Sequence, residues 1–104
     1  MCDNTRMLVH IVCWKYKSET GAAVRDDHHA RLSALVEKIP SILNLEVGAD
    51  ILHLDRSFDT GLVARFADRT GLDEYTVHPD HQAVANLGKT IAEKVVSVDF
   101  IVGQ

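Results

Sequence analysis

Tyr75, His78 and His81 fall within seven residues, in the stretch Tyr75-Thr-Val-His-Pro-Asp-His81. A tyrosine hydroxyl can donate to a developing oxyanion, and a neutral imidazole can take a proton near neutral pH. Abstraction of a proton α to a carbonyl is the reaction class such a pair serves. Pro79 suits the first position of a helix, where its missing N–H costs nothing. His78 then caps that helix and His81 sits in its first turn, where the partial positive charge of the helix end disfavours imidazolium. A plainer reading stands beside this one: His81 bonds a backbone carbonyl or Tyr75 and closes the helix entry. His78 and His81, three apart, share one side of a helix and raise the question of a metal. No Asp or Glu is placed as a third ligand, and Asp80 should point outward, so neither a metal nor another cofactor is expected.

Other candidates are spread along the chain. His10 lies mid-strand on the face of Val12 and Trp14; once buried it needs a hydrogen-bonding partner, and it could approach His81. Trp14 reads as a core residue or a pocket wall, with an indole N–H to satisfy. His28 falls on the apolar stripe of a helix and would edge the pocket, whereas His29 and His53 read as solvated. Cys13 reads as a small buried apolar residue, and Cys2 lies in a polar stretch at the start of the chain. Two cysteines without CxxC or Cys/His spacing suggest neither a disulfide framework nor zinc. There is no Ser/His/Asp triad, Walker loop or dinucleotide fingerprint.

The elements that must position these side chains follow from periodicity. Met7–Tyr16 is rich in β-branched and aromatic residues and reads as a strand. Its even residues Leu8, His10, Val12, Trp14 and Tyr16 share one face, and Val9, Ile11 and Cys13 the other. From Gly21 to Lys38, Val24, His28, Leu32, Leu35, Val36 and Ile39 recur at helical spacing until Pro40. Leu43–Val47 alternates as a strand, with Gly48 expected at a bulge or turn, and Thr60–Phe66 forms a third. Thr70-Gly-Leu-Asp73 has capping-box spacing for a short helix carrying Tyr75. The helix after Pro79 buries Val84, Leu87 and Ile91 and is expected to reach Lys94. Val95–Val102 is the last strand. The order β-α-β-β-α-β predicts an α+β, ferredoxin-like subunit with a four-stranded antiparallel sheet.

At 104 residues, 46% apolar and 25% charged, the chain reads as one domain, residues 1–104, with a core of about 7–102. The net charge of −4, with scattered cations, argues against nucleic acid or anionic membrane as a main partner. No apolar run is long enough to span a bilayer and the first residues lack a signal-peptide pattern, so a cytoplasmic location is the expectation. The first strand is apolar on both faces, while the helices can cover only one. A second copy packed sheet to sheet would cover the other, which predicts a homodimer.

Val9-His-Ile-Val12, Lys38-Ile-Pro-Ser-Ile-Leu-Asn-Leu-Glu-Val-Gly48, Tyr75-Thr-Val-His-Pro-Asp-His-Gln-Ala-Val84 and Val96-Ser-Val-Asp-Phe100 occur in this order. With them the chain resembles the stress-responsive dimeric α/β-barrel (Dabb) domain family over about Met7 to Val102. The resemblance implies a ferredoxin-like subunit whose sheet pairs with its twin's into a dimeric α/β barrel. It implies a stress-associated protein of undefined biochemical activity, with a possible small-molecule pocket between sheet and helices. Similarity to a plant branch, the olivetolic-acid-cyclase type, implies a cofactor-free, aldol-type cyclase or isomerase with the catalytic roles on Tyr75 and His81. It also implies a cavity bordered by His10, Trp14, His28 and His78 and a small carbonyl or phenolic ligand. Leu32, Thr60 and His28 depart from that branch's pocket residues, which implies a different substrate. A small-molecule monooxygenase of the wider dimeric barrel group is the third reading.

Overall fold

A computed structural model describes residues 6–103. The chain forms β1 (Arg6–Tyr16), α1 (Ala22–Lys38), β2 (Asn44–Ala49), β3 (Thr60–Phe66), α2 (Arg69–Val77), α3 (Pro79–Ile91) and β4 (Ala92–Gly103). The sheet order is β2-β3-β1-β4, and every neighbouring pair is antiparallel. This is the ferredoxin-like arrangement, with α2 added as a short helix directly before α3.

Register decides which side chains meet the helices. His10 stands opposite Ala64 on β3 and Asp99 on β4, and Trp14 opposite Thr60 and Val95. The even residues of β1 therefore share the helix-facing side with Thr60, Leu62, Ala64 and Phe66 and with the odd residues of β4. Leu8, Trp14, Tyr16, Leu62, Phe66, Leu32, Leu35, Ile39 and Tyr75 make the core between the layers. Fully burying one such side chain is worth about 1.5–3 kcal/mol. His28, Leu32 and Leu35 are the buried stripe of α1, as their spacing requires. Val24 and Val36, expected on that stripe, lie at its margin and are both exposed.

Several local expectations are corrected. Gly48 is neither bulge nor turn; it pairs with Gly61 inside β2, which continues to Ala49. The irregularity in the sheet falls instead between Lys15 and Tyr16. Asp68 caps α2, accepting from the Gly71 N–H at 2.9 Å, so Thr70 lies inside the helix rather than at its cap. The last helix stops at Ile91 because β4 begins at Ala92, earlier than the Lys94 expected. Cys13 lies on the outer face, half-buried, and is a free thiol; Cys2 lies outside the described residues.

That outer face is apolar where β1 and β4 meet. Val96, Val98, Phe100 and Val102 project from it and are exposed, beside Met7, Ile11 and Cys13. Val9 is already buried there, between Arg65 and Phe100 on the neighbouring strands. No helix among the described residues is long and apolar enough to cross a membrane.

Candidate acid/base site

The join between α2 and α3 builds the site. His78 ends one helix and starts the next, with φ −64° and ψ 132°, the extended backbone favoured before proline. Its Nδ1 accepts from the Asp80 N–H at 3.1 Å, so His78 is the cap that the sequence suggested. Pro79 occupies the first helical position, and His81 follows in the first turn of α3. From there His81 Nδ1 lies 3.1 Å from the Thr76 carbonyl oxygen, in the last turn of α2. A carbonyl only accepts, so Nδ1 carries the proton and satisfies an acceptor that α2 leaves without a helical partner. Nε2 is then the basic nitrogen.

Tyr75 is 2% exposed, and its ring lies 4.1 Å from that of His81, centroid to centroid. Its hydroxyl makes no hydrogen bond to another described residue, and burial pushes its pKa up to about 12. It stays a neutral donor at physiological pH. His81 is shifted down from the ordinary histidine value, chiefly by burial. The Thr76 bond opposes that shift, while His10, His78 and Lys89 reinforce it. His81 is thus a neutral base for a reason larger than the helix end alone.

His10 comes up from β1 beside Tyr75, ring centroids 5.8 Å apart. Its partner is Asp99, the residue opposite it on β4, at 2.5 Å from Nδ1. A carboxylate accepts from the Nδ1–H and leaves Nε2 as the free nitrogen, a common way to fix an imidazole tautomer.

These groups border a cavity of about 220 Å³ between the sheet and α1, α2 and α3. Its walls are His10, Val12 and Trp14 from β1, Leu32 from α1, Tyr75 and Thr76 from α2, His81, Ala85 and Lys89 from α3, and Val95 and Ser97 from β4. That volume is enough for a small organic molecule. A wider cleft of about 550 Å³ adjoins it through Thr76, lined also by Leu8, Arg69, Leu72, Asp99 and Phe100.

Of the residues expected at the site, the structure brings together His10, Trp14, Tyr75 and His81. His28 and His78, expected on the border, are not in the cavity wall. His28 is fully buried behind Trp14, edge-to-face with the indole at 5.0 Å, and its Nδ1 lies 2.7 Å from the Tyr16 hydroxyl. His78 is turned back onto its own helix end. His29, expected to be solvated, reaches Thr60 Oγ1 with Nε2 at 2.6 Å. His53 is exposed, as its surroundings suggested, and carries a positive φ of 53°. Among the described residues no three His, Cys, Asp or Glu side chains converge as a metal site. Asp99 and Lys89 were missed by the sequence reading. Asp99 was detectable as the one charge on the helix-facing positions of β4 from Val95 to Ile101, and Lys89 as the third member of an i, i+4, i+8 series with His81 and Ala85.

The model of the stress responsive A/B barrel domain matches residues 8–102. The chain belongs to the Dabb family. DABB1 of Arabidopsis thaliana, a stress-response A/B barrel domain-containing protein, is 25% identical over an alignment 107 positions long that covers 91% of this chain. The alignment covers 47% of DABB1, so the chain spans about half the length of that curated relative. Among solved structures, a dimeric ferredoxin-like protein of unknown function from Thermobifida fusca superposes with a TM-score of 0.85 at 25% identity, covering 93% of this chain and 92% of its own. A hydroxynitrile lyase from Passiflora edulis has a TM-score of 0.86 at 21% identity, with 96% of each chain covered. The fold is therefore shared by a protein of unknown function and by an enzyme.

Proposed function

We propose that the cavity is a cofactor-independent acid/base site for a small carbonyl compound, of the kind that begins an aldol-type cyclisation or an isomerisation. The observation that carries this reading is the pairing of Tyr75 with His81 at one cavity wall. One presents a hydroxyl with no hydrogen-bond partner among the described residues, and the other a tautomer fixed with Nε2 unprotonated. His81 Nε2 takes the proton from the carbon α to the carbonyl. The electron pair of the broken C–H bond moves onto the carbonyl oxygen, where the Tyr75 hydroxyl donates to the enolate. The proton on His81 then returns to another atom of the same molecule, or the enolate carbon adds to a second carbonyl. His10, held by Asp99, offers a further Nε2 across the cavity. The Passiflora edulis lyase, at 21% identity, speaks only for the scaffold; the reading rests on the cavity.

A phenol imitates the enolate and tests the site without turnover. Titration followed by NMR should show phenol shifting resonances around the cavity in the wild type and at least ten-fold weaker binding in His81→Ala. Equal binding by both proteins, or binding by neither, contradicts a site centred on His81.

The same reading extends to assembly and setting. We propose a homodimer through the outer face of the sheet, where Val96, Val98, Phe100 and Val102 are exposed together. Contiguous apolar surface of this kind marks an interface, and relatives of the same fold from Thermobifida fusca and Bacteroides fragilis are described as dimeric. Sedimentation at micromolar concentration should give a dimer, and Val98→Glu a monomer; a monomeric wild type rules the interface out. The cytoplasm is the setting proposed for it.

A further inference from the structure

We infer that the natural ligand of this cavity is an anion, a carbonyl compound that carries a carboxylate at the end remote from its reacting carbonyl and is anchored there by Lys89. The inference rests on the acid/base reading above and adds the substrate class.

The cavity is polarised along its length. His81, Ala85 and Lys89 line it at i, i+4 and i+8 of α3, one face of the helix. At 1.5 Å per residue, His81 and Lys89 are about 12 Å apart along the axis. The strands run alongside in matching order. His10 pairs with Asp99 at the acid/base end, and Trp14 pairs with Val95 four residues further on, about 13 Å away. Trp14 marks the Lys89 end, because a Cβ at the neighbouring Gly88 would lie 2.8 Å from its Nε1. Val12, Leu32 and Ala85 line the stretch between. An apolar chain therefore fits the middle, with an acid/base pair at one end and an ammonium at the other.

Charge favours an acid over an alcohol or a plain ketone at that far end. Among the described residues the cavity wall contains no Asp or Glu, and Lys89 is its only lysine or arginine. No carboxylate among the described residues lies within 4.0 Å of the Lys89 ammonium; its charge is open to a ligand, and what sets it apart from the other unpaired lysines is its place in the cavity wall. The positive charge on Lys89 is felt at His81, where it acts with burial to hold the imidazole neutral. The flexible four-carbon stem of Lys89 can reach back along the cavity toward His81, which makes the carbonyl-to-carboxylate span shorter than the full rise. A linear keto acid of about eight carbons meets these terms.

The test compares methyl hexyl ketone with the keto acid of the same skeleton, whose terminal methyl is replaced by a carboxylate. Dissociation constants from NMR titration should favour the keto acid by roughly ten-fold in the wild type at low salt, and the preference should shrink as salt screens the pair. Lys89→Met should bring the ratio close to one, and Lys89→Arg should restore it. Equal binding of the two compounds by the wild type, a preference that survives in Lys89→Met, or no binding of either overturns the inference. Deuterium exchange at the α carbons of methyl hexyl ketone reads the parent proposal separately. Exchange lost in His81→Ala without any charge preference leaves the acid/base site standing and removes the anion anchor. A charge preference without exchange does the reverse.

Discussion

Tyr16 and Tyr75 sit beneath the same sheet, each packed against a histidine, yet the two clusters spend their polar atoms differently. The Tyr16 hydroxyl donates to Thr60 Oγ1 at 2.9 Å and lies 2.7 Å from His28 Nδ1, while His29 closes on Thr60 from the other side. Arg25 stacks over the Tyr16 ring at 4.9 Å. Apart from His28 Nε2, the polar side-chain atoms of His28, Tyr16 and Thr60 are used up inside the protein. Around Tyr75 the phenol hydroxyl and the Nε2 of His81 are left over, and there is space beside them. Buried polar groups must find partners; where the protein withholds them, a ligand can supply them. The first cluster is closed within the protein, and the second leaves polar atoms open, as the proposed site requires.

Exchanging a single oxygen in each cluster sharpens the contrast. Tyr75→Phe should lower α-proton exchange by about 100–1,000-fold, the usual loss of an oxyanion donor, and shift stability by less than about 0.5 kcal/mol. A large fall in stability with exchange retained would reverse the assignment. Acid should separate the clusters next. His28 is held down to about 4, first by burial and then by the charge of His29, against 6.5 when unfolded. Between those values the unfolded chain binds the proton and the folded chain does not, so stability is full above pH 6.5 and declines as pH falls toward 4. The loss should approach about 3 kcal/mol, read from urea midpoints at pH 7 and 4.5. His28→Gln should flatten that slope; an unchanged slope would place the titration elsewhere. Tyr16→Phe should cost about 2 kcal/mol, because His28 and Thr60 lose a buried partner, and should leave exchange near the wild-type rate. Gly88→Ala is the smallest change, since a clash of Cβ with Trp14 Nε1 at 2.8 Å is partly offset by better helix propensity. A net loss of about 1 kcal/mol is expected in thermal melts, and a gain would show that Trp14 can move aside.

The fold was legible because its signals are local. The β-branched and aromatic run of β1, the alternation of β2, the 3.6-residue stripe of α1 and the His78-Pro79 junction each reflect backbone chemistry that distant residues do not override. The faces of β1 were assigned from its even and odd residues, and they settled which side carries Tyr16, Trp14 and His10. What could not be read was contact across the sheet. Asp99 meets His10 only because β1 and β4 pair in one register, and the two residues are 89 positions apart in the chain. His28 was placed correctly on the buried stripe but assigned to the cavity, because nothing local says that Trp14 stands between them. The α2 cap went to Asp68 in place of Thr70, a competition between neighbouring good caps that only the backbone path decides.

The most direct test of the acid/base site is deuterium exchange at the α carbons of methyl hexyl ketone, followed by proton NMR near pH 7 in the wild type and in His81→Ala. The expected result is exchange well above the buffer rate in the wild type and a fall of about 100–10,000-fold in the variant. Exchange at the buffer rate in both proteins, or equal acceleration by both, would contradict it.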